Sequence, residues 1–175
     1  MSDLVKEARE FALRWHGDQK YGTQPYSVHL DAVVAVLERE MPDCSSLLKV
    51  VAYLHDVLED TECEYETIET VFGPTIANAV LFCTDENGPN RKTRKALTYA
   101  ICREALDNYA DGVGHEGTRI GVIVKLADRV ANLENCTRDN PDLLKMYWKE
   151  SAAFCTAYAS PHCDSLWAAY HRLLA

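Results

Sequence analysis

The stretch best suited to chemistry runs from Val50 to Thr61, VVAYLHDVLEDT, where an apolar run ends in His55-Asp56 and then Glu59-Asp60. On a helix, His55 and Glu59 share one face at i and i+4, as do Asp56 and Asp60. Four ionisable groups thus crowd one helix end. Burying carboxylates there without a partner is costly, so a metal ion or a cationic ligand is the natural compensation. A solvated, acidic helix terminus accounts for these four residues equally well. Two distant residues tip the balance. His29 opens a helix in PYSVHL, and Asp128 stands inside the apolar run VIVKLADRVANL. Separately each has an ordinary explanation: a histidine at a helix start is commonly a capped or surface residue, and Asp128 could pair with Lys125 or Arg129. Together, two imidazoles and two carboxylates make a mixed nitrogen–oxygen set for one divalent ion, Mn²⁺ or Fe²⁺ as well as Zn²⁺. With four protein ligands, such an ion keeps a position open for water.

The elements that must position these residues read as helices. Apolar residues recur at helical spacing, as in Leu4, Ala8, Phe11 and Trp15, and again in Leu30, Val33, Val34, Leu37 and Met41, whereas period-two alternation is hardly seen. Ser2, Ser27 and Ser45 are suited to cap the first three helices. Gly73-Pro74 separates a short helix ending near Phe72 from one running through Ile76, Val80 and Cys83. DENGPN, residues 85–90, is a turn cluster. A helix from about Arg91 to Tyr109 follows, then the Gly-rich loop Asp111 to Thr118, then a helix from about Ile120 to Thr137, with Pro141 and Pro161 opening the last two segments. Nothing divides the chain, so the expectation is one all-α domain over residues 1–175, a bundle of roughly eight to ten helices.

Composition narrows the function. The chain has 175 residues, 47% hydrophobic and 26% charged, which excludes intrinsic disorder and collagen. Eighteen Lys+Arg stand against 27 Asp+Glu, a net charge of −9, so neither nucleic acid nor an anionic membrane surface is an expected partner. An anionic ligand needs local basic clusters. The longest apolar run, Ala32 to Leu37, has six residues, far short of the roughly 20 that cross a bilayer. MSDLVKEARE lacks an apolar signal region, and the cytoplasm is the expected compartment. The seven cysteines are scattered, odd in number and free of any C-x-x-C pair, which suits reduced core thiols rather than disulfides or zinc.

His29, His55-Asp56 and Asp128 resemble the H…HD…D signature of the HD-domain metal phosphohydrolases. The resemblance is closer than that: PYSVHL, AYLHDVLEDT, the following VFG, and VKLADRVANL resemble, over about residues 4 to 158, the hydrolase domain of the RelA/SpoT family, its stand-alone small alarmone hydrolases in particular. The resemblance implies a single helical HD domain that uses Mn²⁺ to remove the 3′-pyrophosphate from (p)ppGpp or its adenine counterparts (pp)pApp, small-molecule alarmones of the stringent response. It implies His29, His55, Asp56 and Asp128 as metal ligands, Glu59 and Asp60 as the pair that activates water and handles protons, and Asn132 as a substrate contact. One domain of this kind takes up about 175 residues, so no synthetase or regulatory domain is expected beside it.

A polyphosphate needs cations, and the clearest cluster is RKTRK, where Arg91 falls at a phosphate-facing position of the resemblance while Lys92, Arg94 and Lys95 are expected on a solvated face. Lys125, Lys145 and Tyr147 are further candidates for substrate contact. The chain departs from the family pattern at HGDQKYGTQPY, residues 16–26, where a longer loop with an Arg and a Lys is usual; the comparable positions are Lys20, Tyr21 and Gly22. Loss of guanidinium donors suited to a guanine carbonyl, with Tyr21 available to stack on any purine, leads to an expectation of activity on (pp)pApp at least comparable with that on (p)ppGpp. Glu134 stands where a basic residue is common. The rival functions are another HD-class phosphatase, acting on 5′-nucleotides or on NADPH, and a nucleotide-sensing module without catalysis; the presence of Glu59 and Asp60 argues against the latter.

Overall fold

The computed structural model describes residues 2–112, 115–160 and 163–175, with the backbone alone over 137–139. Val113, Gly114 and Pro161 of the expected loop and final segment lie outside the described residues. In chain order the elements are α1 (Asp3–His16), β1 (Lys20–Tyr21), β2 (Gln24–Pro25), α2 (Ser27–Glu40), α3 (Ser46–Leu54), α4 (Val57–Asp60), α5 (Tyr65–Phe72), α6 (Pro74–Cys83), α7 (Arg91–Ala110), α8 (Glu116–Asp139), α9 (Pro141–Tyr158) and α10 (Asp164–Leu174). Among the described residues the fold is all-α but for one two-stranded hairpin. No helix among the described residues is long and apolar enough to cross a membrane.

Several helix starts follow from capping. Ser45, Asn90 and Asn140 each accept a backbone N–H three residues on, at 3.4, 3.0 and 3.1 Å, satisfying a donor that the first turn leaves free. Ser2 sits at the cap of α1 without a side-chain bond, and Ser27 is the first residue of α2 rather than its cap, a place taken by Tyr26. Gly73 ends α5 and Pro74 opens α6, as expected.

The organising element is α8. From Gly121 to Ala131 every residue is buried, and the helix packs against α2, α3, α6, α9 and α10. A helix enclosed on all sides carries Lys125, Asp128 and Arg129 into the interior, where each must find a partner. Gly121 permits the α6 crossing: a Cβ there would stand 2.8 Å from Phe82 Cβ and 2.9 Å from the Ala79 carbonyl oxygen.

Two features differ from the sequence expectation. Residues 20–25 form the hairpin, Lys20 opposite Pro25 and Tyr21 opposite Gln24, with Gly22 at φ +62° supplying the left-handed position of a two-residue turn. The acidic helix end is also not one continuous helix. α3 stops at Leu54, and His55 and Asp56 (φ −100°, ψ −2°) turn the chain before the single turn of α4. Adjacent residues on an unbroken helix project about 100° apart; the turn lets both side chains aim at one point. All seven cysteines are free, five of them buried.

Candidate active site

Three elements meet at that point. The first turn of α2 brings His29, the end of α3 brings His55 and Asp56, and the buried middle of α8 brings Asp128. His29 Nε2 lies 3.3 Å from His55 Nε2, from Asp56 Oδ2 and from Asp128 Oδ1; His55 Nε2 lies 3.0 Å from Asp56 Oδ2 and 3.7 Å from Asp128 Oδ1. His29, His55 and Asp128 each present a ligand atom within 4.8 Å of the others. His55 Nδ1 donates to the Ala52 carbonyl oxygen at 2.8 Å, which turns Nε2 to the centre. Asp128 Oδ1 accepts from Asn132 Nδ2 at 2.5 Å, and Asp56 Oδ2 from the Tyr26 hydroxyl at 2.6 Å.

The electrostatics have one sense. Burial opposes charge on His55, yet the adjacent Asp56 and Asp128 carboxylates outweigh it and push the imidazole up to about 10; His29 is raised by the same balance. The two imidazoles in turn hold Asp56 and Asp128 below the usual carboxylate range despite burial. Imidazoles and carboxylates thus stabilise one another's charges where four donor atoms converge. This nitrogen–oxygen set, with outer hydrogen bonds orienting its members, fits a divalent cation.

Glu59 and Asp60 line the same cleft, a cavity of about 170 Å³. Crowding by the cleft walls raises the Glu59 carboxyl, with the Lys125 charge opposing, and its Oε2 accepts from the Asp85 backbone N–H at 3.1 Å. Asp60 Oδ2 accepts from Gln19 Nε2, and lies 2.9 Å from the Tyr26 hydroxyl.

Of the expected substrate contacts, Tyr21, Arg91, Lys125, Asn132 and Tyr147 line the cleft; Lys20 and Lys145 do not. Lys20 is exposed on the outer hairpin, and Lys145 is 72% exposed and paired with Asp142 at 3.0 Å, because the roll of α9 turns it away from the cleft. Arg91 is held edge-on by Glu150, Nε and Nη2 at 2.8 and 3.1 Å. Lys125 Nζ donates to the Cys83 carbonyl oxygen at 2.5 Å instead of pairing with Asp128. Asn132 uses both ends of its amide on Asp128 and on the Tyr21 hydroxyl. The Tyr21 ring is stacked on His29, 4.7 Å between centroids, so one of its faces is covered.

Two cleft cations were not anticipated. Lys95, expected on a solvated face, is paired with Asp85 at 2.6 Å and lines the cleft; its position four residues after Arg91 is the sequence signal for a shared face. Arg129 is buried between the Tyr147 and Phe154 rings, 4.5 and 4.3 Å from their centroids, with Nη1 lacking a hydrogen-bond partner and 3.6 Å from Glu150. Glu134, at the position where a basic residue is common, accepts from Arg39 at 2.6 Å.

No protein-family model matches the chain. It is 31% identical over 143 residues to the guanosine-3′,5′-bis(diphosphate) 3′-pyrophosphohydrolase MESH1 of Danio rerio, an alignment covering 79% of this chain and 72% of that one. The chain belongs to the RelA/SpoT family of HD-domain alarmone hydrolases. The Drosophila melanogaster MESH1 is 29% identical over 117 residues, 67% of this chain and 59% of the fly protein. The Aquifex aeolicus guanosine-3′,5′-bis(diphosphate) 3′-pyrophosphohydrolase is 33% identical over 135 residues, 76% of this chain but 18% of that longer relative. The RelA/SpoT fold recurs in a solved structure of a metazoan orthologue of SpoT that hydrolyses ppGpp and plays a role in starvation responses. The TM-score is 0.78 at 23% identity, over 99% of this chain and 94% of that one.

Proposed function

We propose that this chain, as one HD-type domain over residues 1–175, removes the 3′-pyrophosphate from purine nucleotide alarmones, (p)ppGpp and (pp)pApp, with Mn²⁺ held by His29, His55, Asp56 and Asp128. The observation that carries the reading is the convergence of two imidazole nitrogens and two carboxylate oxygens beside Glu59 and Asp60 in one cleft. The zebrafish and fly relatives are 3′-pyrophosphohydrolases of guanosine-3′,5′-bis(diphosphate), which supports the same reaction here. A divalent ion so held supplies Lewis acidity, making water more acidic and drawing charge from a phosphoryl oxygen.

The remaining work falls to the chain's own side chains. Glu59 and Asp60 orient a water and take its proton as its oxygen bonds to the phosphorus on the 3′ oxygen. The P–O3′ bond breaks, the 3′ oxygen leaves with a proton as a hydroxyl, and pyrophosphate departs. Arg91 and Arg129 offer positive charge to the anionic end of the nucleotide, and the open face of Tyr21 offers a purine a stacking surface that accepts either base. Incubation of the purified protein with Mn²⁺ and a panel of alarmones, 5′-nucleotides and NADPH, with product identification by chromatography, tests this. Pyrophosphate from alarmones is the expected product. Orthophosphate from the other substrates, with alarmones left intact, would overturn the reading in favour of a phosphatase.

A further inference from the structure

The segment that departs from the family pattern, residues 16–26, offers only the Tyr21 ring to the substrate in the reading above, yet three of its side chains bond to site residues. Gln19 Nε2 donates to Asp60 Oδ2 at 2.9 Å, the Tyr21 hydroxyl donates to Asn132 Oδ1 at 2.8 Å, and the Tyr26 hydroxyl lies 2.6 Å from Asp56 Oδ2 and 2.9 Å from Asp60 Oδ2. Asp60 is the member most in need of support. It is exposed and ends a helix of a single turn, so its own backbone does little to select one rotamer.

Counting hydrogens identifies the donor that matters. The Tyr26 hydroxyl has one hydrogen for two carboxylates. The shorter contact, to Asp56, takes it, and Asp60 then depends on the amide of Gln19. The Asp60 carboxylate only accepts, so the amide nitrogen faces it and the Gln19 carbonyl oxygen faces His16 Nδ1 at 2.8 Å, a bond made by the tautomer that carries its hydrogen on Nδ1. His16 is itself fixed, 5% exposed and stacked on the Tyr26 ring at 4.3 Å with an interplanar angle of 25°, and its Nε2 has no hydrogen-bond partner. The imidazole thus serves one bond only, the one that turns the Gln19 amide toward Asp60. The chain His16–Gln19–Asp60 joins the end of α1 to the carboxylate and leaves Asp60 Oδ1 free.

We propose that Gln19, oriented by its contact with His16, is a positioning residue that holds Asp60 in the rotamer its proton-handling role requires. The hairpin is in this view a clamp on the reactive carboxylate, and its shortness keeps Gln19 within one amide's reach of Asp60. The inference rests on Asp60 acting in the hydrolysis proposed above.

The test compares wild type, Gln19→Ala, Asp60→Asn and the double variant in Mn²⁺-dependent alarmone hydrolysis, with bound metal and melting temperature measured on each. Gln19→Ala is expected to lower kcat about tenfold, ~1.4 kcal/mol of barrier, while KM, metal content and melting temperature stay as in wild type. In the Asp60→Asn background the same change is expected to cost nothing further, since its effect passes through Asp60. An unchanged kcat in Gln19→Ala, or an equal loss with and without the Asp60 carboxylate, would overturn the inference. If wild type is active and Asp60→Asn has full turnover, it is the role assigned to Asp60 that fails; if Asp60→Asn is impaired and Gln19→Ala is not, only the clamp fails.

Discussion

The two walls of the cleft are built on opposite plans. On the α2–α3–α8 side, His29, His55, Asp56 and Asp128 face one another and bring their charges to a common centre. Facing them, the cations of α7 and Lys125 of α8 are kept apart by separate partners: Arg91 with Glu150, Lys95 with Asp85, Lys125 with the Cys83 carbonyl oxygen. The first wall gathers donor atoms for a cation, while the second matches Arg91 and Lys95 with carboxylates and retains the charges of Lys125 and Arg129. Coordination requires convergence of like donors, whereas holding a polyphosphate requires cations that do not repel one another before it arrives. In a chain of net charge −9, local pairing keeps those cations in place without raising the overall charge.

The sharpest break of this comparison is on the converging wall. Asp128→Ala is expected to abolish bound metal and activity together, as measured by elemental analysis and turnover, and a chelator is expected to reproduce the loss in wild type. Full activity in excess chelator would remove the metal from the mechanism. Next, Glu59→Gln combined with Asp60→Asn leaves the donor cluster intact and is expected to lower turnover by about 10² to 10⁴, the usual worth of general acid–base help, with metal content preserved. A structural cut comes third. Gly121→Ala forces a methyl against Phe82 and the Ala79 carbonyl where α6 crosses α8, and is expected to cost about 1–3 kcal/mol in urea unfolding.

The paired wall responds more mildly. Arg91→Ala removes a cation and leaves Glu150 partly unpaired, so KM is expected to rise about tenfold, ~1.4 kcal/mol, with metal content and kcat unchanged. That increase should shrink in high salt. Lys145→Ala, on an exposed side chain outside the cleft, is expected to leave both kinetic constants and stability unaltered.

The same contrast explains what could be read from the sequence. Residue type and order mark the converging wall: His29, His55-Asp56 and Asp128 stand out because a buried His or Asp in apolar surroundings needs a reason. The paired wall is less legible, since RKTRK states four cations but not the roll of α7, which turns Arg91 and Lys95 inward together. Arg129 reads in the sequence as a partner for Asp128, although an arginine within an otherwise apolar helix already implies a buried guanidinium. Helix bounds were legible where a capping or breaking residue sits, as at Gly73-Pro74 and at Arg91. The hairpin was not, because two-residue strands are too short to show alternation. The break at His55 was hidden for a different reason: VVAYLHDVLED has unbroken helical spacing, and what interrupts it is the convergence of two adjacent side chains on one centre.

That break also affects how well each ligand tolerates mutation. The last carbonyls of a helix lack an intrahelical partner, and one of them, that of Ala52, receives the His55 imidazole. The anchor for this ligand is main chain, present whatever side chain residue 52 carries, so no single-residue replacement there deletes the acceptor. Asp56 has no such insurance: its oxygen is held by the Tyr26 hydroxyl, which one nucleotide change in a tyrosine codon can turn into phenylalanine. Neighbours in sequence and partners in chemistry, the two ligands are therefore unequally exposed to genetic drift, and a library of variants selected for activity should show residue 52 varying among small side chains while residue 26 stays tyrosine.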